Sequence, residues 1–288
     1  MNSITTRPVG ALLAAGGVCS SVFAELKRNP DIDPVPICVT QGCESDARAA
    51  ETLKYIPLTC PKDIAAYMEK HGVNEVVLAG DVGLLRDAPD QFIQAGNEFA
   101  PDPEMVDLIR SKAPIYTQLK ILESKLKSEG INTLHLHEVT SDFNADREWI
   151  GGAELCDTRL QITDMLKQII GEMRLSRAIE NSTRTTLIFE DEKLLFSWAE
   201  NTHRAVEYAG STQRSERDSI MSLVKLSTDA APVTLAAPTV CLEDITHCKE
   251  HGIDLIILDS DNIVFAEKQS ALKTAADHGI TVFGMSFS

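Results

Sequence analysis

Several groups of residues in the chain have types and spacings that could do chemistry. Glu200-Asn201-Thr202-His203 follows an apolar run and opens a predicted helix. A carboxylate and an imidazole three residues apart could work as an acid/base pair, while Thr202 could cap the helix. Capping alone would also account for this sequence. Gly16-Gly17 falls between a predicted strand and a predicted helix. Glycines at such a turn let backbone N–H groups approach a phosphate, which a helix N-terminus also favours. No third glycine at dinucleotide spacing and no Gly-Lys-Ser/Thr follows, so a tight structural turn explains the pair as well. Gly80-Asp81 closes another apolar run in the same way.

Other groups point to cations. His247 and His251 stand four apart on a predicted helix, with Cys248 between them. That spacing could seat one edge of a metal site. No third ligand is evident in the sequence, so solvent-facing histidines on an amphipathic helix are the expectation. Asp259, Ser260, Asp261 and Asn262 follow a strand and could hold a hard cation, but such residues also favour turns, and a turn is expected. Asp142, Asn144 and Asp146 mimic the start of a calcium loop. Arg147 stands where that loop needs glycine, and Ala153 where it needs glutamate, which excludes it.

These residues need elements to position them. Apolar runs at Val9–Ala14, Pro36–Thr40, Tyr55–Leu58, Glu75–Ala79 and Asn132–His137 read as strands. They alternate with predicted helices at Cys19–Lys27, Pro61–His71, Pro103–Lys112 and Tyr116–Glu129. Pro61 suits a first helical turn and Gly72 a stop. Such alternation implies βαβ units and a mostly parallel, Rossmann-like sheet, whose ligands sit outside the carboxyl ends of its strands. The polar stretch 141–153 reads as a linker between an N-terminal lobe, 1–140, and a C-terminal lobe, 154–288. The second lobe should be mixed α/β. It opens on a long helix, Glu154–Ile179, and carries a hairpin turning at Glu190-Asp191-Glu192-Lys193. Strands are expected at Ile220–Leu226, Leu255–Leu258 and Thr281–Phe283, and helices at His203–Ala209, Leu242–His251 and Lys268–His278.

Totals bound the function. A net charge of −16 argues against nucleic-acid binding, which needs positive charge over its footprint. Aromatic residues make up only 5%, too few for a base-stacking platform. Hydrophobic residues make up 43%, enough for an aliphatic core without staples. Seven cysteines, an odd number with no Cys-x-x-Cys pair, read as reduced thiols of a cytoplasmic protein. No apolar run approaches the ~18–20 residues that span a bilayer. The stretch from Arg7 to Ala24 has a weak likeness to a secretory signal, but Pro8 and the glycine pair fit a buried strand and turn better.

In order and spacing, nearly the whole chain resembles the LpxI-type UDP-2,3-diacylglucosamine pyrophosphatases. That family opens on a strand and an Ala-Gly-Gly-Gly-x-Leu-Pro turn, matched here by Ala14-Ala15-Gly16-Gly17-Val18-Cys19-Ser20. Its Val-Val-x-Ala-Gly-x-Val strand end is matched by Val76-Val77-Leu78-Ala79-Gly80-Asp81-Val82, preceded by Gly72-Val73. A helix ending in Glu-x-Gly is matched by Ser128-Glu129-Gly130-Ile131. In the second lobe a hairpin leads into Glu-Gly-Thr-Asp and a helix, where this chain has Glu200-Asn201-Thr202-His203. The family's Lys-x-x-Lys-Pro segment corresponds to the region from Lys225 to Pro232.

The resemblance implies a divalent-metal-dependent hydrolase, magnesium being usual, that releases UMP and 2,3-diacylglucosamine 1-phosphate in lipid A biosynthesis. It implies a cytoplasmic protein that meets the inner membrane peripherally, through its lipid substrate. It places Glu200, Thr202 and His203 at the reaction centre and Gly16, Gly17, Gly80, Asp81 and Lys225 near the substrate. His203 replaces the family's aspartate, the Asp-x-Gly-Gln motif gives way to Asn181-Ser182-Thr183-Arg184, and the Gln-Asp-x-Arg segment is largely absent. These departures imply an alternative, a degenerate member that binds a UDP-sugar or an acylated sugar phosphate without turnover.

Overall fold

The computed structural model describes residues 6–14, 17–41, 53–80, 85, 90–93, 98–113, 115–140, 145, 147–175, 184–199, 202–216, 218–227 and 239–287. The chain divides into two compact units, 1–141 with 233–237 and 142–232 with 238–288. The first is a Rossmann-like parallel lobe and the second a mixed α/β lobe.

In the first unit β1 (Arg7–Leu13) runs between β2 (Ile32–Cys38) and β4 (Glu75–Ala79). The outer strands are short, β3 (Lys54–Tyr55) and β5 (Asn132–Thr133). The order is β3-β2-β1-β4-β5, and every pairing is parallel. The first part of the stretch with a weak signal-like pattern, Arg7–Leu13, is thus the central strand of the sheet. Helix α1 (Gly17–Arg28) packs on β1, β2 and β4. Leu12, Val76 and Leu78 join one core with Ile64 and Met68 of α2 (Pro61–Lys70). Short α3 (Asp90–Ile93) adds Phe92 to that core, α4 (Pro103–Arg110) adds Met105, and α5 (Ile115–Ser128) adds Leu119 and Leu122.

Local chemistry sets the ends of these elements. Pro61 and Pro103 start their helices, where a missing N–H costs nothing, and Asp102 accepts a hydrogen bond from the Met105 N–H. Gly72, at φ +70°, follows α2. Two expected strands are shorter than their apolar runs. Regular pairing of β3 ends at Tyr55, although the Ile56 and Leu58 N–H groups still donate to the Cys38 and Val39 carbonyls on either side of Pro57. The run Asn132–His137 splits because the His135 N–H donates to Glu138 Oε1 at 3.0 Å, opening the single-turn helix α6 (Leu136–Val139).

The second unit is a six-stranded sheet in the order β6-β13-β11-β9-β7-β8. The strands are β6 (Glu148–Gly152), β7 (Arg184–Glu190), β8 (Lys193–Ala199), β9 (Met221–Ser227), β11 (Leu255–Asp259) and β13 (Thr281–Met285). The central β13, β11 and β9 are parallel; β6 at one edge and the β7–β8 hairpin at the other are antiparallel. Strand β6 lies inside the stretch expected to join the lobes. Its polar, glycine-bearing sequence conceals an edge strand, for which one apolar face suffices. A separate parallel pair, β10 (Thr239–Val240) with β12 (Val264–Phe265), completes the strands among the described residues. Helix α7 (Asp157–Leu175) covers one sheet face through Ile162, Leu166 and Ile170. Three helices cover the other face: α8 (Thr202–Ser211), α9 (Leu242–Glu250) and α10 (Lys268–Asp277). No helix among the described residues is long and apolar enough to cross a membrane.

Candidate functional site

Side chains along β9 alternate between the two sheet faces. Val224 and Leu226 enter the core under α7, whereas Leu223 enters the core beneath α8, α9 and α10. Lys225 shares the face of Leu223 and stands in register with Thr186 on β7 and Leu258 on β11. It is buried, and its Nζ donates to the Thr239 carbonyl at 2.7 Å. An ammonium in such a place requires a compensating negative charge.

That charge is Asp244, buried in the first turn of α9. Burial alone would push its carboxyl upward. The Lys225 charge and the hydrogen bond from His203 outweigh burial and hold it down at about 2. One oxygen, Oδ2, accepts the Cys241 N–H at 2.9 Å. The other, Oδ1, lies 3.2 Å from His203 Nε2.

His203 is the second residue of α8, and its side chain keeps 41% of its surface exposed against 9% for Asp244. Its hydrogen bond to Asp244, opposed by partial desolvation, raises the imidazole above its ordinary value. With Nε2–H donated to Asp244, the neutral ring carries its lone pair on Nδ1. A buried carboxylate orienting a half-exposed imidazole is an arrangement that can accept and return a proton. The first residue of α8, Thr202, has its hydroxyl 3.3 Å from that of Thr186, tying the start of the helix to β7. Cys241 and Cys248 are close by, but burial pushes the Cys241 thiol up to about 12 and the Cys248 thiol up as well. Neither is a nucleophile near neutral pH.

The structure therefore brings together His203, Thr202 and Lys225 of the residues expected from sequence. Glu200, Gly16 and Asp81 lie outside the described residues, as do Asp142, Asn144 and Asp146. Gly17 is the first residue of α1. Gly80 follows β4, beside Ala14 at the end of β1, where the order of strands reverses and ligands of such sheets gather. The Ala14 N–H donates to Ala79 O at 2.8 Å. Gly80 has φ +133°, and a Cβ there would collide with the Ala14 carbonyl oxygen. Close approach of two strand ends thus accounts for this glycine. Asp259 to Asn262 form the expected turn: the Asp259 carboxylate accepts from the Asp261 N–H and the Asn262 side chain, and Asp261 pairs with Arg147 at 3.0 Å.

Sequence reasoning missed Asp244, the centre of the cluster. A carboxylate three residues after Cys241, at the start of a predicted helix, signals a cap. Its meeting with Lys225 depends on sheet register and has no local signal. Magnesium takes oxygen ligands. Among the described residues the cluster offers one buried carboxylate, both of whose oxygens are engaged, beside a lysine ammonium and with only the charge of exposed Glu243 nearby, so this donor set does not fit magnesium. No protein-family profile matches the chain, and no curated protein matches it significantly.

Proposed function

We propose that the chain hydrolyses the pyrophosphate of a UDP-linked, acylated glucosamine, releasing UMP and the acylated sugar 1-phosphate. The observation that carries this reading is the convergence of His203 and Lys225, both marked by the family resemblance, on the buried Asp244. His203 Nδ1 takes a proton from water as the water oxygen attacks one phosphorus. The P–O bond to the other phosphate breaks, and Asp244 holds the imidazolium that forms. The positive end of the α8 dipole, at its first turn, favours the phosphate's negative charge. An acylated substrate would bring the protein to a membrane surface peripherally.

UMP release from UDP-2,3-diacylglucosamine, with and without magnesium or manganese, tests the reading. His203→Ala should lower kcat by ~10²–10⁴-fold with little change in KM. Unchanged turnover removes His203 from the mechanism. A second reading, binding without turnover, is favoured by the full engagement of Asp244 and by histidine at the family's aspartate position. Calorimetric binding of the nucleotide-sugar without UMP release would establish it. Absence of both release and binding overturns both readings.

A further inference from the structure

The end of α9 carries a cluster that the proposed hydrolysis does not use. His247 and Glu250 lie on α9, and His251 follows immediately. One ligand atom of each lies within 4.8 Å of those of the other two. His247 Nδ1 is 3.8 Å from Glu250 Oε2, and His247 Nε2 is 4.0 Å from Glu207 Oε1 on α8. The rings of His203, His247 and His251 form a row, with centroids 4.7 and 4.6 Å apart. The pair expected to be solvent-facing thus has a carboxylate within reach, Glu250, one residue before His251, that a search at four-residue spacing passes over.

Two features show that the row is held in place. His247 is largely buried, with 19% of its side chain exposed, and its Nε2 is 3.3 Å from the His203 carbonyl. His251 packs on Gly210 of α8 so closely that any Cβ there would overlap its ring, and would reach its Cβ at 2.9 Å. The site also lies at a helix C-terminus, where the backbone dipole favours a cation.

We propose that His247, Glu250 and His251 bind a divalent transition-metal ion, zinc above all. Two imidazoles and one carboxylate suit zinc, with a water completing four-coordination, whereas magnesium and calcium prefer all-oxygen shells. Glu207 of the adjoining helix lies 4.0 Å from His247 Nε2, the ring nitrogen opposite the one that faces Glu250, where a carboxylate helps hold the ring's orientation. The site is separate from the proposed hydrolytic centre, although His247 stacks on His203.

The test is zinc competition between the full-length protein and a chromophoric chelator, with cobalt(II) absorption as the second measurement. One zinc should bind per chain, and cobalt should give bands of nitrogen and oxygen ligation without a thiolate charge-transfer band. Loss of an outer-shell partner alone costs ~10–100-fold in metal affinity, so His247→Gln, Glu250→Gln and His251→Gln should each weaken binding by at least about tenfold. His278→Gln, at an exposed position after α10, should leave it unchanged. Glu250 is exposed, so its variant keeps the fold and isolates the ligand effect. The proposal is overturned if zinc fails to compete with the chelator. It is equally overturned if the three variants bind as the wild type does, or if cobalt shows a thiolate charge-transfer band.

Discussion

At the scale of single residues, the cluster on α8, β9 and α9 is governed by one carboxylate. Asp244 is ionised in the fold far below the usual aspartate range because Lys225 and His203 face it. A depressed carboxyl contributes stability that is present above its unfolded value of 3.8 and is lost as pH falls through about 2. That difference corresponds to about 2 kcal/mol. Asp244→Asn should be less stable near neutral pH, because it leaves the Lys225 ammonium buried without its counter-charge. In urea titrations the gap between wild type and variant should narrow as pH falls through this window. A gap constant from neutral pH down to the acid transition would show that the Asp244 charge does not hold the cluster. Sequence made His203 visible at a helix opening, and the family resemblance alone pointed to Lys225. It left Asp244 hidden, because an acidic residue in a first helical turn is explained locally and gives no hint of a distant ammonium.

At the scale of elements, strands and helices with strong periodicity were legible and the polar or short ones were not. The apolar cores of β1, β4, β9 and β11 announced themselves, as did the β7–β8 hairpin, whose Asp191 has φ +50° at the turn. Strand β6 has no such run, and α6 arises because one glutamate bonds the His135 N–H. Packing between helices was also beyond the sequence. Gly210, one residue past the helix expected at His203–Ala209, is the place where α8 admits His251. Helix propensity predicts that Gly210→Ala stabilises α8 by ~1 kcal/mol. The contact with His251 predicts the reverse, a loss of about 1–3 kcal/mol, since the crowding extends to the His251 Cβ and ring rotation cannot relieve it. Thermal or urea melts decide the sign, and zinc affinity should fall with stability. A stabilised variant that binds zinc as before would mean that α8 and α9 do not approach as closely as this contact requires.

At the scale of the whole molecule, each unit has its own sheet and its own apolar core, so each should fold without the other. His203, Lys225, Asp244, His247, Glu250 and His251 all belong to the second unit. A fragment of residues 142–288 should therefore melt cooperatively and bind zinc with the affinity of the intact chain. Where that fragment starts matters. Charge and hydropathy alone would begin it at 154, after the polar stretch. That cut removes β6, which pairs antiparallel with β13, and it also removes the Ala153 N–H that donates to Ile280 O at 2.8 Å. It would leave β13, a strand with an apolar face on the core, as an open sheet edge. Residues 154–288 should consequently be less stable than 142–288 and should associate as concentration rises, which light scattering and concentration-dependent melts would detect. If the shorter fragment matches the longer one in both measurements, β6 is dispensable and the polar stretch is a linker after all. If the longer fragment shows no cooperative transition, the second unit depends on the first for its fold, and its sites must be studied in the full chain.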